Sequence, residues 1–292
     1  MNPAIAIIGS TASGKSALAF YLACKYKLDI FSIDSLSVYK YIDIASAKPS
    51  KIELSKIKHY GIDVLNPDEK CSAKLFFDLL NSLSKKRLII VGGSSFYLKS
   101  MIDGLSQIPQ QNKEISKYIE SLHKNEAYKL LLKIDKNYAL KIHKNDTYRI
   151  AKGLEIYMLT GKSPSENFAQ NKKEKLNIKI NIFELIKPKD ILIKDVESRT
   201  ESMYKNGLID EVQNLISSYP ASQILKAIGI KEIISFLDSK ITKEQSKDLI
   251  IKNTMQLAKR QRTFNRTQFG DIFRGEIVEL KKKIEAILDK NI

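Results

Sequence analysis

The chain has 292 residues, 43% of them hydrophobic and 28% charged, enough for one large or two modest globular domains with real cores. No stretch approaches the roughly 20 apolar residues a membrane helix needs, and Met1-Asn2-Pro3 leads straight into a strand pattern, so a cytoplasmic protein without a signal peptide is expected. With 49 Lys and Arg against 33 Asp and Glu the net charge is +16, a sign that attracts polyanions and makes nucleic acid a candidate partner, a lysine-rich proteome bias being the plain alternative.

Ala4 to Ile8 reads as a strand and runs into Gly9-Ser10-Thr11-Ala12-Ser13-Gly14-Lys15-Ser16, the G-x-x-x-x-G-K-[ST] pattern of a P-loop, with the helix-compatible Ala17 to Leu22 behind it. The chemistry explains the pattern. Glycines let backbone N–H groups curl round phosphate oxygens, a helix N-terminus adds partial positive charge, Lys15 neutralises, and the Ser16 hydroxyl can hold Mg²⁺. A second apolar run, Ile30 to Ile33, ends at Asp34, and a third, Leu88 to Val91, ends at Gly92-Gly93-Ser94. Short apolar strands alternating with helical segments predict an α/β fold, a P-loop parallel sheet with helices on both faces. Ligands of such sheets sit outside the carboxyl ends of the strands, so Gly9, Asp34 and Ser94 are expected at one crevice. Asp34 could order Mg²⁺ through water, serve as a base, or cap the helix that follows. The second motif of ATPases and GTPases, a strand ending in Asp, is not where it would be expected, nor is an Asn-Lys-x-Asp run. That favours transfer to an acceptor over hydrolysis. Cys24 and Cys71 have no metal or redox spacing and are expected as reduced, partly buried thiols.

Past Gly104 the pattern changes. Pro109 and Gln110-Gln111-Asn112-Lys113 lead into a long helical pattern, Ile115 to Ile142, which continues from Tyr148 to Leu159, breaks at Thr160 to Pro164 and gives way to a polar tract, Asn167 to Lys175. A helical insertion is expected over residues 110–180, splitting the core into 1–109 and 181–292, with a strand at Ile178 to Ile186 returning to the sheet. Leu208, Val212, Leu215, Ile216 and Tyr219 form one apolar stripe of a core helix. Lys247 to Arg266 holds six basic residues against one acidic, with Lys259, Arg262 and Arg266 on one helical face, either an RNA-facing or a solvated surface.

Taken in order, these segments resemble the tRNA dimethylallyltransferases, also called tRNA isopentenyltransferases, nearly end to end. The P-loop is similar to theirs. So are Asp34-Ser35 through Val38-Tyr39-Lys40 with Asp43 to Pro49, Val91-Gly92-Gly93-Ser94 with Tyr97, Arg149 to Gly161, Arg199 within E-S-R-T-E-S-M, Ala227-Ile228-Gly229 with Lys231-Glu232, and Gln256 to Gln261. The resemblance implies transfer of a dimethylallyl group from its diphosphate to the exocyclic amine of the adenosine 3′ of the anticodon, in tRNAs reading codons that begin with U. It implies Asp34 as the base and Ser94 as a hydrogen-bonding group at the amine or diphosphate. Gly9, Ser10, Thr11, Ala12, Ser13, Gly14, Lys15, Ser16, Lys162 and the catalytic Arg199 would hold the diphosphate, Ser16 through Mg²⁺. Asp34, Ser35, Leu36, Ser37, Ser94, Tyr148, Arg149, Lys152, Lys226, Gly229 and Lys231 would touch the tRNA, with the insertion clamping the anticodon stem and the enzyme acting as a monomer.

The chain departs from the family pattern at Ala45-Ser46, where Gly-Thr is usual, at Ser37 for Gln and at Met255 for Arg, and it carries no Cys/His zinc module before Ile292, as in the bacterial-type enzymes. Two rivals share some of these features. A small-molecule kinase leaves the basic Lys247 to Arg266 segment unexplained, and an RNA-binding protein with a vestigial P-loop leaves Asp34 unexplained.

Overall fold

Every residue of the first strand, β1 (Ala4–Gly9), is buried, which a strand achieves when its sheet is covered on both faces. The structure, a computed structural model, describes residues 4–83, 87–106, 112–171 and 173–290; the expected break at Pro109 to Gln111 lies outside them. Along the chain follow α1 (Lys15–Tyr26), β2 (Asp29–Ser32), α2 (Lys51–Lys56), β3 (His59–Tyr60), α3 (Ala73–Ser82), β4 (Leu88–Val91) and α4 (Ser95–Asp103). Then come α5 (Lys113–Ser121), α6 (Lys124–Ile134), α7 (Lys136–Ala139), α8 (Thr147–Thr160) and α9 (Pro164–Gln170). The chain returns through β5 (Ile180–Leu185), α10 (Lys189–Lys205), α11 (Leu208–Ser218), a 3₁₀ turn at Gln223–Lys226, α12 (Ile230–Leu237), α13 (Lys243–Gln268), β6 (Phe273–Gly275) and α14 (Ile277–Asp289).

The six strands form one parallel sheet in the order β3-β2-β4-β1-β5-β6. Successive side chains of a strand point to opposite faces, and the two faces have different covers. Ile5, Ile7, Ile30, Ile89 and Val91 pack with Leu18, Leu22, Leu280, Ile284 and Leu288 of α1 and α14. Phe31 points the other way and meets Phe76 of α3 edge to face, ring centres 6.3 Å apart. Each such fully buried side chain contributes about 1.5–3 kcal/mol, so the central strands hold the frame that carries the loops. The α/β architecture with helices on both faces is as expected from the sequence. The two edge strands, of two and three residues, are too short to give a periodic signal.

The chain divides into two compact units, one of residues 1–102 with 176–292 and one of 103–175. The second opens at Gly104, in the left-handed region at φ 88°, and its two ends are joined by an antiparallel bridge between Leu105 and Glu174. Its core is Ile119, Ala127, Leu131, Ala139, Ile142, Ile150 and Leu154. The helical pattern over Ile115 to Ile142 is three helices rather than one. Asp135 ends α6 and caps α7, its side chain accepting from the Tyr138 N–H, and His123, next after the Leu122 that ends α5, caps α6 by accepting from the Asn125 N–H. The expected polar tract after Pro164 begins as a helix, because Ser163 and Glu166 form a capping box with Pro164 at the first helical position. Cys24 is exposed on the outer side of α1 and Cys71 is half-buried. Among the described residues no helix is long and apolar enough to cross a membrane.

Candidate active site

The loop Gly9 to Ser16 joins β1 to α1, so its backbone wraps the start of a helix at the carboxyl end of a central strand. Gly14 caps α1 in the left-handed region at φ 93°. Gly9 is needed for space, because a β-carbon there would lie 2.7 Å from the Leu185 carbonyl of the neighbouring strand. The Ser13 N–H closes the loop onto the Ser10 carbonyl at 3.2 Å. Lys15 is buried at 8% exposure, and its ammonium donates to the Ser10 carbonyl at 3.0 Å. Burial lowers its pKa to about 8, against the opposing pull of the Asp34 carboxylate; the Arg199 charge lowers it further. Arg199, on α10, is likewise pushed below its ordinary value by burial, with Asp34 again opposing. Neither cation has a carboxylate within ion-pair distance among the described residues. Two desolvated positive charges without a partner make a site for an anion. The Ser13 and Ser95 hydroxyl oxygens, buried beside the loops, have no hydrogen-bond partner among the described residues.

Asp34 follows β2 and is held by its own loop. One carboxylate oxygen, Oδ1, accepts from the N–H groups of Leu36 at 2.9 Å and Ser37 at 3.1 Å. Its second oxygen is left for other work. The neighbouring strand end is tied alongside it. Ser94 Oγ accepts from the Ser35 N–H at 3.1 Å, and the Ser94 N–H donates to the Ile33 carbonyl at 3.2 Å. Gly92 permits this approach, since a β-carbon on it would sit 2.3 Å from the Ile33 carbonyl oxygen. Ser35 is exposed and Leu36 half-buried, whereas Ser37 is buried with its hydroxyl against that of Ser32 at 3.3 Å. The Ser37 side chain therefore faces the interior.

Gln261 of α13, the last residue of the family-like Gln256 to Gln261 segment, joins two of these loops. Its Oε1 accepts from the Thr11 N–H at 2.7 Å and its Nε2 donates to the Gly93 carbonyl at 2.9 Å. A carboxamide carries an acceptor and a donor at the same end, which neither a carboxylate nor an ammonium does. The helix is itself anchored below this point, where buried Asn265 donates to Glu184 of β5 at 2.9 Å. Glu211 plays a similar part for the loop after Tyr41. Its carboxylate accepts from the N–H groups of Asp43, Ile44 and Ala45 at 2.7, 2.7 and 2.9 Å. Next in that loop, the Ser46 carbonyl is approached by Arg199 at 3.5 Å. Ser16 is exposed on the first turn of α1.

Of the remaining candidates in this unit, Lys226 and Lys231 are exposed on either side of Gly229. Gly229 has φ 93°, and its N–H donates to buried Glu232 at 2.7 Å; a β-carbon on it would lie 3.8 Å from that of Ala45. Along α13, Lys259, Arg260 and Arg266 are exposed and Arg262 half-buried. The helical unit carries the others. Tyr148 is 72% exposed at the start of α8. Arg149 pairs with Asp146 at 2.9 Å and Lys152 with Glu155, all within one turn of that helix or its cap. Lys162 belongs to this unit too, its ammonium donating to Gln170 at 2.7 Å.

The family profile described as IPP transferase matches residues 37–268. The chain is 47% identical to the tRNA dimethylallyltransferase of Nautilia profundicola over 287 residues, 98% of this chain and 96% of that one. It is also 47% identical to that of Helicobacter pylori strain J99 over 289 residues, 96% and 92% of the two chains. The fold is similar to the full-length tRNA isopentenylpyrophosphate transferase of Bacillus halodurans, with TM-score 0.69 and 29% identity over 99% of this chain and 98% of that one. It is similar also to a eukaryotic dimethylallyltransferase captured acting on tRNA, with TM-score 0.84 and 26% identity over 98% of this chain and 78% of that one.

Proposed function

We propose a function that proceeds from one premise: the chain belongs to the IPP transferase family. It is a tRNA dimethylallyltransferase, moving a dimethylallyl group from dimethylallyl diphosphate to the exocyclic amine of the adenosine 3′ of the anticodon in tRNAs that read codons beginning with U. The observation that carries the reading to this chain's own residues is the pair of desolvated cations without a carboxylate ion-pair partner among the described residues, Lys15 and Arg199, set around Asp34. A departing diphosphate needs concentrated positive charge, and a weakly nucleophilic aromatic amine needs a proton acceptor. In the reaction the allylic C–O bond breaks, a C–N bond to the adenine forms, and the amine proton passes to the Asp34 carboxylate. The leaving diphosphate stays on the P-loop N–H groups, Lys15 and Arg199. Ser94, tied to the Ser35 backbone, hydrogen-bonds the amine or the diphosphate beside Asp34.

Mg²⁺ fits these residues through the substrate. Among the described residues no three His, Cys, Asp or Glu side chains gather as a metal site, and Mg²⁺ favours few protein ligands plus phosphate oxygens and water. The exposed Ser16 hydroxyl would supply the protein ligand, and the ion would neutralise the diphosphate.

For the RNA, the base must leave its stack to reach Asp34, at a cost of about a few kcal/mol. Ser35, Leu36, Lys226, Gly229 and Lys231 hold the loop, while Ser37 acts behind them by holding Asp34 through its N–H. The helical unit clamps the anticodon stem with Tyr148 as a stacking surface and Arg149 and Lys152 on phosphates. The enzyme works as a monomer in the cytoplasm. Mass spectrometry of tRNA after incubation with dimethylallyl diphosphate, or with ATP in its place, tests the assignment. Alkylated adenosine is expected only with the former; phosphate transfer from ATP would replace this reading with the kinase one.

A further inference from the structure

A third cation stands at the P-loop, outside its motif. β5 is the parallel neighbour of β1, with Leu185 opposite Gly9, so the residues that follow each strand emerge side by side. Two residues past Leu185, the Lys187 ammonium comes within 4.0 Å of where a β-carbon on Gly14 would stand. Gly14 is the residue that caps α1, where the helix turns its free N–H groups outward. Lys187 is three-quarters buried, with a side-chain exposure of 24%, and is paired with Asp195, whose side chain is 41% exposed. Asp195 lies one helical turn before Arg199 on α10.

The pairing is the wrong way round for a structural device. A carboxylate at the mouth of an anion cradle repels the anion, and the 41% exposure of Asp195 leaves it open to water, which weakens its hold on the ammonium. A multiply charged anion at the cradle competes for the same ammonium with more charge. A lysine is suited to that exchange, since its ammonium is a compact point charge on a flexible stem. We propose that Lys187 is a diphosphate-binding residue, parked on Asp195 in the free protein and released to the substrate's diphosphate when it binds. Three elements then supply the cations around the anion: Lys15 from α1, Arg199 from α10 and Lys187 from the segment after β5. The inference rests on the proposed function, because it assumes that the cradle holds a diphosphate.

The test is calorimetric titration of the intact chain with inorganic diphosphate and Mg²⁺, comparing wild type with Lys187→Met, Lys187→Arg and Asp195→Asn, with an anticodon stem-loop titrated in parallel. Loss of one charge-assisted contact predicts a rise in Kd of about tenfold or more for Lys187→Met, an affinity near wild type for Lys187→Arg, and stem-loop binding unchanged in both. Asp195→Asn should bind diphosphate at least as tightly as wild type. A Lys187→Met Kd within about twofold of wild type, measured by the same affinity scale, would reduce the pair to an ordinary surface contact and end the proposal. Asp195→Asn binding that weakens as much as Lys187→Met would overturn the parking. If the wild type itself binds no diphosphate, it is the functional reading that fails.

Discussion

In the sheet-bearing unit the loops that carry the reactive groups are tied from far along the chain, whereas in the helical unit the cations are held by their nearest neighbours. Gln261 reaches Thr11 across 250 residues and Gly93 across 168, and Glu211 holds the backbone of Asp43 across 168. Arg149 and Lys152 are instead held by carboxylates three residues away. Burial follows the same division: Lys15 is 8% exposed and Tyr148 72%. The difference teaches what each unit is built to do. A transition state needs donors fixed before the substrate arrives, because reorganisation at that moment costs rate. Under the proposed function the helical unit meets a flexible RNA loop with cations on local ion pairs, an exposed one at Arg149 and a mostly buried one at Lys152.

The comparison breaks first, and most strongly, at Asp34. Asp34→Ala should lower single-turnover alkylation by about 10²- to 10⁴-fold, the span for loss of a general base, with stem-loop affinity little changed. If binding falls in step with turnover, Asp34 belongs to RNA recognition and the division fails. Gln261 comes next. Gln261→Ala and Gln261→Glu should both lower kcat by about 10- to 100-fold, as a displaced but still present cradle would, because neither side chain can accept from Thr11 and donate to Gly93. A substitution that changes only KM would argue against a bridging role.

Lys15 gives the division a pH signature. Its folded pKa of about 8 lies below its ordinary value, so the free protein loses this charge as pH rises through 8. Diphosphate affinity should therefore fall above about pH 8, by up to about tenfold per unit. In the same window the unfolded chain binds the extra proton, so from about pH 8 up to the ordinary lysine value Lys15 makes folding stability rise with pH. Affinity and stability moving in opposite directions across that window, followed by titration and by thermal unfolding, is the expected pattern. The smallest effects belong to the helical unit. Arg149→Ala and Lys152→Ala should each weaken stem-loop binding only a few-fold and reduce the salt slope by about one, while leaving diphosphate binding untouched.

The same division explains what could be read from the sequence. Phosphate chemistry demands particular residue types at fixed spacing, so Gly9 to Ser16 announce themselves, and the strand-end rule brings Asp34 and Ser94 to the same edge. Gln261 and Glu211 give no comparable local sign. Glu211 reads as an ordinary acidic residue in the first turn of α11, and Gln261 as the end of a family-like segment in a basic helix, with no role attached to it. Their meaning comes from backbone groups 166 to 250 residues away. Lys187 follows a strand and precedes a proline, and only the register of β5 against β1 brings it to Gly14. In the helical unit the capping residues His123, Asp135 and Ser163 were present in the sequence, but the continuous apolar pattern hid the breaks they make.

The central claim, that the P-loop serves as the cradle of a leaving diphosphate during alkylation of RNA, is tested most directly by stoichiometry in a single turnover. Wild-type protein mixed with dimethylallyl diphosphate, Mg²⁺ and an anticodon stem-loop should release one diphosphate for each dimethylallyl adenosine formed, and neither product should appear without the RNA. Release of diphosphate with no modified adenosine would contradict it.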